Sequence, residues 1–273
     1  MTAVDVDGLR WQVRVRGVGV PLLLLHGFTG RGSGWSAHAT AFARRFRVIV
    51  VDLPGHGRSG TPRDPRRASI ERSADDLALI LHQVSVAPAH VLGYSLGARI
   101  ALRLAVAHPG SVRRLILESP SAGIADPTER AARVAADEAR AARIERDGID
   151  AFVAEWEQEP VFASHRALSP SRIARLRADR LRNRPGGLAT SLRGAGQGAM
   201  EPLHDRLATV ASPTLVIAGA LDPTGRTRAG TVAAAIPHAR LEIVEGAGHT
   251  PHLENPRRFR TLTTDFLEED PAA

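Results

Sequence analysis

The chain has 273 residues, enough for one large domain with a substantial buried core. It contains no cysteine, which excludes a disulfide framework, a thiolate metal site and a cysteine nucleophile. The formal net charge is +7 and lysine is absent, so all 36 basic residues are arginines; scattered among acids in a chain that is 4% aromatic, they do not make the massed basic patch of a nucleic-acid binder. Residues Met1 to Gly8 are polar and lack the apolar core of a secretory signal. The apolar stretch Val20 to Leu25 is far too short to span a bilayer, so a cytoplasmic location without membrane contact is expected.

Taken in order, short apolar runs alternate with longer helical patterns, the rhythm of βαβ units and a mostly parallel sheet. Leu9 to Arg16 alternates with period two and reads as an edge strand. Pro21 to Leu25 and Arg47 to Val51 are continuous apolar runs, as strands buried on both faces require. Ser69 to Val86 reads as a helix, Ala89 to Gly93 as a strand, Ser95 to Ala107 as a helix and Val112 to Leu117 as a strand. From about Pro120 to Ser212 no strand is expected. Asp126-Pro127-Thr128-Glu129 carries the signals of a helix start, and the helix is expected to stop at Gly148. Shorter helices follow around Ala151 to Glu157 and Pro170 to Leu181. Strands resume at Thr214 to Ala218 and Leu241 to Val244 with a helix between them, and a last helix covers Pro256 to Leu267. The pattern predicts an α/β core from residues 1–119 and 213–273, interrupted by a helical lid over residues 120–212.

Gly93-Tyr94-Ser95-Leu96-Gly97, between a strand and a helix, has the form of a nucleophile elbow. A serine hydroxyl needs a histidine within hydrogen-bond reach and an acid to orient that histidine. Asp222 follows the strand Thr214 to Ala218, and His249 follows the strand Leu241 to Val244, in the order Ser, acid, His of α/β-hydrolases. Glu118 also ends a strand and is an alternative acid; His252, three residues past His249, reads as a lid or helix-start residue. His56 sits in a glycine-rich loop suited to local hydrogen bonding. An oxyanion hole is expected from the backbone N–H groups of Phe28, in the turn His26-Gly27-Phe28, and of Leu96. The histidines lack metal-ligand spacing, and the glycine clusters match neither a P-loop nor a dinucleotide fingerprint, so no metal or cofactor is expected. The same elbow, triad and turn would also serve a serine carboxylesterase or a carbon–carbon bond hydrolase.

These residues make the chain resemble the α/β-hydrolase superfamily and, within it, the 2-succinyl-6-hydroxy-2,4-cyclohexadiene-1-carboxylate synthases of menaquinone biosynthesis. The resemblance covers almost the whole chain. It rests on Leu25 to Gly30, Val51 to Gly57 and Leu92 to Arg99, and on the segments Leu117 to Gly123, Glu129 to Arg133, Trp156, Pro160 to Phe162 and Gly187 to Gly194. The chain departs from the family where Ala98 replaces a second glycine and where Pro223-Thr224, not Lys-Phe, follows the acid. Glycine–threonine–glycine is only partly kept over Gly194 to Met200. The resemblance implies elimination of pyruvate from an enolpyruvyl cyclohexene carrying three carboxylates, with the serine acting as base. It also implies substrate binding by Arg99, Arg133 and Arg180, with Arg177 and Arg182 as competitors of Arg180, and a pocket shaped by Tyr94 and Trp156.

Overall fold

The computed structural model describes residues 2–84 and 88–269. Asp7 and Gly8 both have positive φ, 53° and 72°, and close a two-residue hairpin between β1 (Thr2–Val6) and β2 (Leu9–Arg16). This Asp-Gly pair is the strongest short-range hairpin signal a sequence carries. Leu9–Arg16 is therefore not the edge strand expected for it. It pairs antiparallel with β1 on one side and with β4 (Arg47–Asp52) on the other, and β1 forms the edge.

The remaining strands are β3 (Pro21–Leu25), β5 (Ala89–Tyr94), β6 (Val112–Glu118), β7 (Thr214–Gly219) and β8 (Ala239–Val244). The sheet order is β1-β2-β4-β3-β5-β6-β7-β8, and every pair from β4 onward is parallel. Alternate side chains of one strand feed two cores. Leu23, Leu25, Val91, Leu115, Leu117 and Val216 pack on one face against α2 (Ile70–Val84), α3 (Leu96–Ala107) and α7 (Pro223–Ala235). Leu22, Leu24, Leu92, Ile116, Leu215 and Ile217 pack on the other with Trp35, with Phe42 of α1 (Ser36–Phe42) and with Phe259, Leu262 and Phe266 of α9 (Pro256–Glu268). Burial of both faces is why these runs are apolar throughout. The expected end of the second helix at Val86 lies outside the described residues.

Among the described residues no strand lies between Glu118 and Thr214. The segment holds α4 (Pro127–Trp156), a 3₁₀ stretch Pro160–Ala167, α5 (Pro170–Leu181) and α6 (Pro185–Ala195). Asp126 caps α4 by accepting the Glu129 N–H at 2.8 Å. Gly148 (φ 83°, ψ 179°) is non-helical and divides this span into two helices that meet at a sharp kink, the stop expected at that residue. Three glycines lie within α6. A Cβ at Gly187 would stand 2.2 Å from the Gly55 carbonyl oxygen, and one at Gly194 would stand 2.0 Å from that of Pro65. Backbone contact with the loops after β4 outweighs the propensity cost of about 1 kcal/mol per glycine. A small apolar cluster of Ala141, Ile144, Phe152, Val153, Leu188, Ala189 and Leu192 holds α4 to α6. No helix among the described residues is long and apolar enough to cross a membrane.

Candidate active site

Ser95 stands between β5 and α3 with φ 51° and ψ −106°, a conformation that costs on the order of 1–3 kcal/mol. The surroundings enforce it. A Cβ at Gly93 would stand 2.2 Å from the Gly97 carbonyl oxygen, and one at Gly97 2.4 Å from that of Leu25. The Ser95 N–H donates to the Glu118 carbonyl at 2.9 Å, which ties the elbow to β6. The hydroxyl is thereby held at the C-terminal edge of the sheet.

Asp222 and His249 arrive from the ends of β7 and β8. His249 Nδ1 donates to Asp222 Oδ2 at 2.7 Å, and the Ser95 Oγ lies 3.2 Å from His249 Nε2. With Nδ1 carrying the proton, Nε2 is left as an acceptor for the serine proton. Asp222 also caps α7, its Oδ1 accepting the Gly225 N–H at 2.8 Å. Burial pushes its carboxyl group up, but the His249 and Gly225 hydrogen bonds outweigh burial and hold it below the ordinary carboxylate range.

The alternative acid has a different partner. Buried Glu118 accepts from His252 N at 2.8 Å and from His252 Nδ1 at 2.9 Å, so it anchors the turn beyond His249. Glu254 of α8 (Pro251–Glu254) completes the clamp: Oε2 accepts the N–H groups of Gly248 and Thr250 at 3.0 and 2.9 Å. Ser119 Oγ donates to the His249 carbonyl at 2.9 Å. Sequence reading missed Glu254; its place four residues after Thr250 was the available signal.

Phe28 follows a turn fixed by His26, whose Nδ1 donates to the Gly27 carbonyl at 2.8 Å while Nε2 accepts the Leu53 N–H at 3.0 Å. Burial lowers the His26 pKa, which fits one neutral tautomer locked by two partners. His56 bonds locally to the Pro54 carbonyl at 3.0 Å, and burial lowers its pKa to about 3.

These groups open into a cavity of about 530 Å³ lined by Phe28, Tyr94, Ser95, Leu96, Asp222 and His249 and roofed by residues of α4, α6 and the 3₁₀ stretch. Trp156 and Phe162 build one wall, with Trp156 edge-on to Phe28 at 5.4 Å and backed by Phe152 at 5.7 Å. Burial, and then Glu118, raise the Tyr94 pKa well above its usual value, so the phenol stays neutral.

Of the expected arginines, Arg99 and Arg133 line this cavity. Arg99 lies one turn past Ser95 and donates to the Ala195 carbonyl at 2.9 Å; burial, followed by repulsion from Arg133, lowers its pKa to about 10. Arg133 pairs with Asp137 at 2.9 Å and Gln197 at 3.2 Å. Arg180 is not brought to the same cavity. It lines a smaller one of about 70 Å³ behind Tyr94 and Phe162, bonded to Glu157 at 3.2 Å and stacked 5.0 Å over Phe162. Arg177 shares Glu157 at 2.5 Å, and Arg182 lies 3.7 Å from Asp179. Two further arginines line the large cavity: Arg140, paired with Glu159 and 5.2 Å over Trp156, and Arg228 of α7. Arg140 falls two turns after Arg133 on the same helix, a periodicity hidden by the arginine richness of the chain.

A family model described as alpha/beta hydrolase fold matches residues 20–256. A putative 2-succinyl-6-hydroxy-2,4-cyclohexadiene-1-carboxylate synthase of Bacillus subtilis (strain 168) is 37% identical over 263 residues, 96% of each chain. The synthase of that name from Serratia proteamaculans (strain 568) is 32% identical over 251 residues, 90% of this chain and 92% of the relative. The solved structure of MenH from S. aureus has a TM-score of 0.90 at 32% identity and covers 94% of this chain and 97% of that one.

Proposed function

The chain belongs to the α/β-hydrolase fold family and, within it, to the 2-succinyl-6-hydroxy-2,4-cyclohexadiene-1-carboxylate synthases, and on that premise we propose how its site works. The enzyme is a carbon–oxygen lyase that eliminates pyruvate from 2-succinyl-5-enolpyruvyl-6-hydroxy-3-cyclohexene-1-carboxylate. It acts in the cytoplasm on this small tricarboxylate. The observation that carries the reading is one cavity holding both the hydrogen-bonded Ser95–His249–Asp222 chain and the arginines Arg99 and Arg133.

The ring proton to be removed lies beside the succinyl ketone, so its loss leaves charge on the ketone oxygen. Ser95 Oγ passes its proton to His249 Nε2 and takes the ring proton in its place. Asp222 stabilises the imidazolium formed on the way. The N–H groups of Phe28 and Leu96 receive the developing enolate oxygen. As the enolate collapses, the ring double bond shifts, the carbon–oxygen bond breaks, and the electron pair leaves with enolpyruvate. His249 returns its proton to solvent or leaving group, and enolpyruvate takes a proton at carbon to become pyruvate. Arg99 and Arg133 hold carboxylates through the forked guanidinium, and the aromatic wall excludes water. Residues 120–212 act as the lid that completes the pocket.

The test is pyruvate release from substrate generated in place by the preceding enzyme, with Ser95→Ala as control. Fast, serine-dependent release is expected. Release at the spontaneous background together with serine-dependent turnover of aryl esters would replace the lyase by an esterase.

A further inference from the structure

Four arginines line the large cavity, and their partners differ. Arg133 is matched by Asp137 and Arg140 by Glu159. Arg99 has only a backbone carbonyl and the Met200 sulfur, and Arg228 has no hydrogen-bond or ion-pair partner among the described residues. Arg228 is nonetheless placed by its helix. Thr224, Gly225 and Arg228 lie at i, i+1 and i+4 of α7, and all line the cavity, so one stripe of this helix forms its wall. Arg228 is exposed and shares the wall with exposed Leu221, which puts it at the solvent end of the pocket. Its charge reaches both Arg99 and Asp222, lowering the pKa of each.

We infer that Arg228 is a specificity residue: beyond the carboxylate position at Arg99, it provides a second one that selects substrates with an additional carboxylate arm. The physical reason is charge balance. Two guanidinium groups on one cavity, neither hydrogen-bonded to a protein carboxylate, repel each other until anionic groups of a ligand neutralise them. A guanidinium fork binds carboxylate through two parallel hydrogen bonds, which fixes orientation as well as adding affinity. One carboxylate held at Arg99 leaves the Arg228 charge unmatched at the solvent end of the pocket, and an additional carboxylate arm is what pairs with it. This inference rests on the tricarboxylate reading of the same cavity, but its test does not depend on turnover.

The probe is propane-1,2,3-tricarboxylate, titrated calorimetrically into the wild-type chain and the Arg228→Ala, Arg228→Lys and Arg226→Ala variants. Arg226 is exposed on the same helix and does not line the cavity, so its removal changes net charge equally. Arg228→Ala is expected to weaken binding at least about five-fold, Arg228→Lys to recover part of the loss, and Arg226→Ala to stay within about two-fold. In the pyruvate assay Arg228→Ala should raise KM by a similar factor and leave kcat nearly unchanged. Equal losses in the Arg228→Ala and Arg226→Ala variants, or no tricarboxylate binding by the wild-type chain, would overturn the inference. Pyruvate release at background with Arg228-dependent tricarboxylate binding would keep it and discard the lyase reading.

Discussion

The sheet core and the helical segment 120–212 are stabilised in different ways. In the core, Leu22 to Leu25, Val91, Leu92 and Leu115 to Leu117 are fully buried, and each strand serves two apolar clusters. The helical segment has one small apolar cluster and is laced by ion pairs: Arg193 to Glu138 and Glu145, Arg143 to Glu155, Arg177 and Arg180 to Glu157. Close packing fixes positions tightly, whereas half-exposed ion pairs are individually weak and salt-sensitive. Under the proposed mechanism, the reacting groups belong to the closely packed half. Ser95, Asp222 and His249 all stand at ends of core strands, and only part of the arginine and aromatic lining comes from the ion-paired half.

The sharpest break of this contrast is Ser95→Ala, which removes the oxygen that the proposed mechanism uses and nothing from either core. A loss of at least about a thousand-fold in kcat, with an unchanged melting temperature, is expected; a residual rate above a few per cent would remove Ser95 from the reaction. Gly225→Ala tests how tightly the core holds the acid. The added Cβ would stand 2.1 Å from Asp222 Oδ2, so Asp222 must move, and kcat should fall about a hundred-fold. Wild-type kinetics in this variant would show that the acid has freedom to spare.

A third test uses acid against the core. Burial pushes the His38 and His56 pKa values to about 3 and that of His90 to about 4, and lowers His26. In the unfolded chain each titrates near about 6.5. The unfolded state therefore binds more protons as pH falls below that value. The stability these neutral imidazoles contribute is complete above pH ~6.5 and is lost as pH falls toward the folded values. The slope is up to about 1.4 kcal/mol per pH unit for each histidine. Between pH 7 and 5, above most carboxylate titrations, thermal melting should drop by several degrees, and His38→Gln should flatten the dependence. A flat profile in the wild-type chain would show that these imidazoles are hydrated in solution.

The same contrast explains what was legible. Strands buried on both faces write themselves as apolar runs, and an elbow between such a run and a helix leaves little room for another reading of Ser95. Asp222 and His249 meet Ser95 because parallel strands deliver their loops to one edge. Where contacts override local pattern, the reading failed. In α6, Gly187 and Gly194 go against helix propensity because they serve backbone approach to Gly55 and Pro65. The strand β1 was lost in a polar N-terminus although Asp7-Gly8 announced its hairpin. Arg140 and Arg228 were invisible among 36 arginines, since a cavity wall depends on which helix face the tertiary fold turns inward. Arg180 shows the converse: a residue well placed by resemblance lies behind Phe162 and spends its charge on Glu157.

Glu157 is accordingly where the ion-paired half should prove softer than the core. Its Oε1 accepts from Arg180 and its Oε2 from Arg177, and Arg180 is only 5% exposed. Glu157→Gln keeps the shape but leaves Arg180 without its counter-charge, which costs far more for a buried cation than for a surface one. Arg180 lies over Phe162, and Phe162 lines both cavities and stands 6.3 Å from the His249 ring. Relaxation of Arg180 toward water should therefore carry Phe162 with it and loosen the substrate wall without touching the Ser95–His249–Asp222 bonds. The expected signature is a KM raised about three- to ten-fold with kcat within about two-fold, and a melting temperature lower by roughly 2–4 °C. An equal fall in kcat would mean instead that the lid and the reacting groups are held as one unit.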